Sequence, residues 1–267
     1  MAIHEGDGGS GIDYHRQYDD GAFLDALRAT RVRQAGRLLA LLYRHVQHLS
    51  GILDYGAGRG WFLEACRAAG VSPVAGVDTS DVSVESLRAS GIEAHRLPEE
   101  EDAAGVLSRL SFRPRVLTLL DVVEHFPPDR LKARFEGIVS GCGPDLELVV
   151  IKVPVPGLLY AAASALWGVG APGPLRQLYQ AGTWPPHFSY FSPVSAELLL
   201  KSAGLSLIDR IGDPDFEPDL LGQRIGATHP FVNALARIGG EALGATIRAT
   251  GRFDSALFLA RPTLALS

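Results

Sequence analysis

Residues 52–70 read ILDYGAGRGWFLEACRAAG. Four residues with a largely apolar pattern run into three glycines within five positions. A helical pattern over 61–69 follows and is closed by Gly70. This is the grammar of a buried strand, a tight turn and a helix. Gly56 permits positive φ, Gly58 lets a ligand approach the backbone, and Gly60 allows close packing at the helix start. An electron-rich ligand group can meet the amides there. The spacing is not that of a dinucleotide site, which needs G-x-G-x-x-G. Here the third glycine arrives one residue early and Trp61 fills the position it should hold. A phosphate-cradling G-x-x-x-x-G-K-[ST] is also absent. Asp54 at the strand end would repel a pyrophosphate but can pair with an ammonium. The turn therefore fits a nucleoside cofactor carrying an amino-acid tail better than a nicotinamide dinucleotide. The plain alternative is a tight strand–helix turn with no ligand.

The same grammar repeats outward. Strands are expected at 74–77, 92–95, 115–120 and 146–153, with helices at 81–90, 101–110 and 128–140 between them. Short apolar strands alternating with helices imply parallel pairing through crossovers, a doubly wound α/β fold. Its ligand crevice lies beyond the carboxyl ends of the strands. Ser192-Pro193 starts a helix to 203, a strand spans 205–211, a helix spans 231–250 and a last strand spans 252–261. That makes a seven-stranded, mostly parallel sheet with its last strand antiparallel. Residues 22–49 form a helix ahead of the sheet. We expect residues 1–50 to be an N-terminal segment and helix, a possible lid in which Tyr14, His15 and Tyr18 take part. The main domain then spans 51–261, with insertions at about 156–190 and 212–250.

Composition narrows the partners. The net charge is -5, and the basic side chains are 22 Arg against only three Lys, Lys132, Lys152 and Lys201. An acidic balance argues against a broad nucleic-acid footprint. Two cysteines, Cys66 and Cys142, exclude a Cys-rich zinc module and a dense disulfide framework. The first twenty residues hold acids and glycines but no apolar run, so no secretory signal is expected and a cytoplasmic location is. The most apolar stretch, 157–173, is Ala- and Gly-rich and too short to span a bilayer. It reads either as a lid or interfacial segment or as a buried connecting helix.

Candidate site residues cluster at the predicted strand ends. Asp78 ends the second strand 22 residues after Gly56, where a carboxylate can accept both ribose hydroxyls; its alternative role is to cap the next helix, which Ser80 can do instead. The fourth strand ends in Asp121-Val-Val-Glu124-His125-Phe126. A second histidine, His187, lies in Trp184-Pro-Pro-His187-Phe-Ser-Tyr190-Phe-Ser, just ahead of a capped helix.

These strings together resemble class I S-adenosylmethionine-dependent methyltransferases, in particular the small-molecule group that includes ubiquinone-type O-methyltransferases. The likeness covers about 51–261 and rests on LDYGAGRG at 53–60, GVD at 76–78, LLDVVEHF at 119–126, PPHFSYFS at 185–192 and DSALFLARP at 254–262. It implies a Rossmann-like methyltransferase fold with S-adenosyl-L-methionine as cofactor. Asp54, Gly56, Ala57, Gly58 and Gly60 would surround the methionyl part. Asp78 and Thr79 would hold the ribose, and Asp121 and Val122 would line the methionyl and sulfonium side. Leu97 and Pro98 would flank the adenine, with an acid from Glu99 to Asp102 on its exocyclic amine.

The implied reaction is direct in-line displacement of the methyl group, most plausibly onto a hydroxyl of a specialised metabolite. N- or C-methylation is the near alternative. The sulfonium already activates the methyl group, so alignment and proton removal are what remain for the protein. His125, His187 and Tyr190 are the candidate catalytic side chains. Tyr160, Trp167, Trp184, Phe188 and Phe191 suggest a pocket for a partly apolar or aromatic small molecule. No H-x-x-x-H or H-E-x-x-H pattern exists, so no dedicated metal site is expected. Neither nucleic-acid binding nor integral membrane association is expected, and a monomer or homodimer is. Two other classes compete: a nicotinamide-linked oxidoreductase, opposed by the glycine spacing and a missing Tyr-x-x-x-Lys, and a noncatalytic cofactor-binding protein.

Overall fold

The computed structural model describes residues 21–98, 103–171, 186–214, 216–221 and 229–263. Its centre is one seven-stranded sheet in the order β3-β2-β1-β4-β5-β7-β6. Strands β1 (Ile52–Tyr55), β2 (Val74–Asp78), β3 (Glu93–Arg96), β4 (Val116–Leu120) and β5 (Leu148–Pro154) run parallel. Strand β7 (Ser255–Pro262) is inserted antiparallel between β5 and β6 (Leu205–Gly212). The doubly wound expectation with a reversed last strand therefore holds. The chain winds one way from β1 through β3 and the other way from β4, so the switch point lies between β1 and β4. In such sheets the crevice opens at the carboxyl ends of those two strands.

Period-2 alternation builds the two buried faces. Leu53, Tyr55, Leu117, Leu119, Val149 and Ile151 face one core. That core is closed by α4 (Ala103–Leu107), α5 (Leu131–Gly141) and α7 (Pro193–Ser202), which contribute Val106, Phe135, Ile138 and Leu200. Ile52, Val74, Val116, Leu148 and Val150 face the other core. It is covered by α1 (Gly21–His45), α2 (Trp61–Ala68) and α3 (Asp81–Ala89) through Leu38, Leu42, Leu63 and Leu87. Removing one of these fully buried leucines to Ala costs about 2–5 kcal/mol. Ser80 caps α3 by accepting from Ser83 N at 3.3 Å. Ser192 and Ser195 cap each other's backbone amides at the start of α7, at 2.8 and 3.1 Å.

Two elements differ from the sequence expectation for visible reasons. The last strand begins at Ser255 rather than 252, because the three preceding residues hold another helix. Arg252 O accepts from Leu158 N, and the Asp254 carboxylate accepts from Leu159 N and Tyr160 N, both at 2.9 Å. The helix they hold, α6 (Leu158–Gly168), is not a buried connector. Among its described side chains Ala163 is buried, whereas Leu166, Trp167 and the following Val169 are exposed. The last long helix is α8 (Pro230–Thr250), whose first half exposes Phe231, Leu235 and Ile238. No helix among the described residues is long and apolar enough to cross a membrane.

Candidate active site

The three turn glycines all take positive φ, +80°, +53° and +78° at Gly56, Gly58 and Gly60. They do different work. A Cβ at Gly56 would overlap Val122, and one at Gly60 would overlap Leu87. A Cβ at Gly58 would meet nothing within 4 Å. Gly56 and Gly60 are thus demanded by packing, and Gly58 alone faces open space at the switch point. The turn is folded back on β2: Gly56 N and Ala57 N both donate to Val77 O, at 2.7 and 3.1 Å.

Asp78 ends β2 beside this turn. Its carboxylate accepts from Gly58 N at 2.7 Å and from Ser80 N at 2.8 Å. Those bonds fix its rotamer and leave further lone pairs for a diol. Ser80, not Asp78, caps α3, the assignment anticipated for it. Asp54 is placed differently from its expected role. It is buried against the α1 face of the sheet and accepts from Thr118 Oγ1 at 2.6 Å. Burial pushes its carboxyl up to about 7, Thr118's hydrogen bond pulls it back, and the charge of Asp78 pushes it further up. Leu97 lies in the core with its amide on Asp78 O at 2.9 Å, so its side chain does not open on a crevice. Thr79 follows Asp78 on the exposed side. The adenine acids at 99–102, the lid residues Tyr14, His15 and Tyr18, and Trp184 lie outside the described residues.

At the end of β4, Asp121 takes φ +58°, a left-handed conformation that costs a non-glycine residue about 1–2 kcal/mol. Both its oxygens accept from Lys152 Nζ at 2.9 Å, and Arg31 of α1 approaches at 2.8 Å. The Lys152 side chain is only 5% exposed. It is buried with its strand, and a strand buried on both faces leaves its ammonium nowhere else to go. Asp213, after β6, sits 4.0 Å from Lys152 Nζ and accepts from Gln34 Nε2 at 3.2 Å. These ion pairs tie α1 to the carboxyl edge of the sheet. Nothing in the Arg-rich helix pattern singled out Arg31, but a lysine inside LVVIKV signals that a carboxylate must meet it.

The next residues form a 3₁₀ turn, Val123–His125. His125 Nδ1 lies 2.9 Å from Pro186 O, and Glu124 O accepts from Phe188 N and Ser189 N at 2.8 and 2.9 Å. These bonds dock the segment around His187 onto the end of β4. The His125 and His187 rings meet edge-on with centroids 4.9 Å apart, and Tyr190 is 6.3 Å from His187. Burial pushes His187 down to about 4, and the neighbouring His125 pushes it lower still against the opposing pull of Asp121. His187 is thus a neutral base at pH 7. Burial raises the Tyr190 phenol, and its hydroxyl donates to His187 O at 3.1 Å. The structure accordingly brings His125, His187 and Tyr190 together beside Asp121. Glu124 joins them: one ligand atom from each of Glu124, His125 and His187 lies within 4.8 Å of the others. His187 lies 62 residues after His125, a separation that hides this trio from any local spacing rule. Phe191 packs in the core instead of lining a pocket, while Phe188 and Tyr190 stay about half exposed.

The sheet order, the glycine turn with an open Gly58, and a carboxylate at the end of β2 define a class I methyltransferase scaffold. The chain belongs to the methyltransferase domain family, whose model matches residues 21–209. It is an S-adenosylmethionine-dependent methyltransferase. No curated protein matches it in sequence. Among solved structures it is similar to magnesium protoporphyrin IX methyltransferase from Synechocystis PCC 6803 with bound S-adenosylhomocysteine. That match has 14% identity and a TM-score of 0.56, and covers 94% of this chain and 93% of that one. The cyclopropane synthase MmaA2 from Mycobacterium tuberculosis matches with 16% identity, a TM-score of 0.52 and coverage of 80% and 78%. The [4+2]-cyclase SpnF matches with 15% identity, a TM-score of 0.52 and coverage of 86% and 82%. The three named activities differ, so the shared fold leaves the acceptor to be argued from the site.

Proposed function

We propose that this enzyme transfers a methyl group from S-adenosylmethionine to a hydroxyl of a small specialised metabolite by direct in-line displacement. The observation that carries the proposal is the wall formed by His125, His187 and Tyr190 next to Asp121 and Val122. Val122 packs on Gly56, so this wall adjoins the glycine turn where the cofactor's methionyl end belongs. In the displacement the acceptor oxygen forms a bond to the methyl carbon. The carbon–sulfur pair returns to sulfur, and the hydroxyl proton passes to a base. His187, neutral at pH 7, is placed to take it. A weak base suffices, because the proton leaves an oxygen that is becoming a strongly acidic oxonium.

The neutral imidazole of His187 supports a hydroxyl acceptor, whose proton needs a base, and N- or C-methylation remains the alternative. The half-exposed rings of Phe188 and Tyr190, with a net charge of -5, favour a partly apolar small molecule over nucleic acid. Within this proposal residues 51–261 form the methyltransferase domain, residues 1–50 its covering segment, and the enzyme acts in the cytoplasm as a monomer or homodimer.

The test is calorimetry followed by labelled transfer. S-adenosylhomocysteine should bind tightly and NADH should not. Isotopically labelled S-adenosylmethionine should label hydroxylated aromatic or lipophilic acceptors, with the new bond assigned by mass spectrometry. His187→Ala should lower kcat/KM by roughly 10²–10⁴ with little change in S-adenosylhomocysteine affinity. Binding of NADH alone overturns the proposal. Unchanged turnover across pH in both His187→Ala and His125→Ala removes the histidines as essential bases.

A further inference from the structure

Helix α8 carries apolar residues on two opposite sides. Gly240, Gly244 and Ile247 are buried, and Gly240 packs on Pro218 and Leu221. On the opposite side Phe231, Leu235, Ile238, Ala242, Ala245 and Ala249 follow one another at spacings of four, three, four, three and four residues. All six are exposed, the three large ones at 65%, 52% and 59%. This heptad spacing keeps them on one narrow ridge along the whole helix. A helix that is apolar on both sides is the pattern of a helix covered on both. Arg237, Glu241 and Arg248 are confined to one flank of the ridge, where Arg237 lies 3.8 Å from Glu241.

We propose that the ridge of α8 is covered by the same ridge of a second copy of this chain, the two helices pairing antiparallel about a two-fold axis at Gly240. The ridge is graded in size, large in its first half and alanine in its second. Turned end for end about Gly240, Phe231 falls opposite the partner's Ala249, Leu235 opposite the partner's Ala245, and Ile238 opposite the partner's Ala242. Each large side chain thus meets a small one, as close packing demands, and each contact is made twice, as two-fold symmetry demands. Parallel pairing would crowd phenylalanine on phenylalanine at one end and leave a gap between alanines at the other. A lipid surface gives the match between the two halves no role. The charged flanks of the two copies fall on the same edge, with Arg237 and the partner's Glu241 level to within about 3 Å along the axis. Six facing layers and their flanks bury on the order of 1,000 Å² in total, the lower edge of a specific interface, so the dimer is expected to dissociate in the micromolar range. The pairing also reaches α1. The 3₁₀ turn Pro218–Leu220 lies beneath Gly240, and its Asp219 and the preceding Glu217 accept from Arg33 and Arg37. The inference stands apart from the choice of methyl acceptor.

The experiment is analytical ultracentrifugation of the full chain from nanomolar to high micromolar concentration, which should show a monomer–dimer equilibrium. Leu235→Glu should raise the dissociation constant at least tenfold and leave S-adenosylhomocysteine affinity unchanged, which certifies the fold. Ala245→Leu should do the same, by filling the space that the partner's Leu235 needs. Leu235→Ala combined with Ala245→Leu exchanges large for small and should restore pairing to within a few-fold of wild type. Cys66 and Cys142 are buried, so an added surface thiol reports alone. Leu235→Cys and Ala245→Cys proteins, mixed and oxidised, should cross-link to each other, and neither should cross-link to itself. A chain that stays monomeric throughout, whether or not it binds lipid vesicles, overturns the proposal. So does a dimer that Leu235→Glu leaves intact, and cross-linking of Ala245→Cys to itself overturns the antiparallel pairing.

Discussion

At the residue scale the glycine turn separates folding from binding. Gly58→Ala places a methyl group in open space, so its folding cost is the left-handed backbone alone, about 1–2 kcal/mol. Its effect on a ligand that must approach that backbone is larger, and S-adenosylhomocysteine affinity should fall at least tenfold in calorimetry. Gly60→Ala adds the same backbone strain plus a collision with Leu87, so it should lower the melting temperature more than Gly58→Ala does. Equal melting losses, or a Gly58→Ala protein with native affinity, would contradict the division of labour. Asp54 supplies the pH dependence. Its folded carboxyl is raised to about 7 from an ordinary 3.8, chiefly by burial. Between those values the folded state keeps a proton that the unfolded chain has lost, so this group's contribution to stability falls as pH rises from about 4 to about 7 and is flat above. At roughly 1.4 kcal/mol per pKa unit the change is on the order of 4 kcal/mol. Asp54→Asn keeps an oxygen for Thr118 and cannot ionise. Its stability relative to wild type, from urea melts at pH 4.5 and pH 8, should rise with pH; a constant difference would place the ionisation elsewhere.

At the element scale, local pattern carried most of the architecture. Strand β1 was legible residue for residue, and the seven strands and their mostly parallel pairing followed from short strand-like runs punctuated by Gly51, Gly70, Gly91 and Gly204, while their order in the sheet is a finding of the structure. What local pattern could not carry is whatever depends on a partner far along the chain. The segment 252–254 has strand-like residues, yet it leaves the sheet to serve α6, more than ninety residues earlier. The Asp54 side chain, expected in the crevice, is turned by strand alternation toward Thr118. His125, His187 and Tyr190 were each legible as candidates, but their meeting depends on the backbone bonds between Glu124 and Ser189. The α6 cap is testable in the same terms. Asp254 takes two of the amides that a helix start leaves unpaired, so Asp254→Ala should cost about 1–2 kcal/mol. It should also raise hydrogen exchange in α6 while β5 stays protected. Uniform loss of protection across the sheet would mean that α6 is not a separable unit.

At the scale of the whole molecule, the carboxyl edge of the sheet is held by a charged layer lying between α1 and three strands. Its inner part is Lys152 with Asp121 and Asp213, and its outer part is Arg31, Arg33 and Arg37 with Asp121, Asp213, Glu217 and Asp219. The arginines of the outer pairs are about a third to a half exposed, so each pair contributes about 0–1 kcal/mol and weakens with salt. The inner lysine is different, because removing one member of a buried pair leaves the other charge uncompensated. Asp121 keeps about a quarter of its exposure, which moderates the penalty. Lys152→Met should therefore destabilise by about 3 kcal/mol in urea melts, near the low end for buried pairs. In the background of Asp121→Asn, the same substitution should cost at least 1 kcal/mol less, because the charge it strands has gone. Raising salt from 0.1 to 1 M should change the Lys152→Met penalty little while reducing that of Arg33→Ala. Strict additivity of Lys152→Met and Asp121→Asn would mean that the two side chains do not share their energy. In that case the strained backbone of Asp121 must be held by its amide on Lys152 O rather than by the ammonium beneath it.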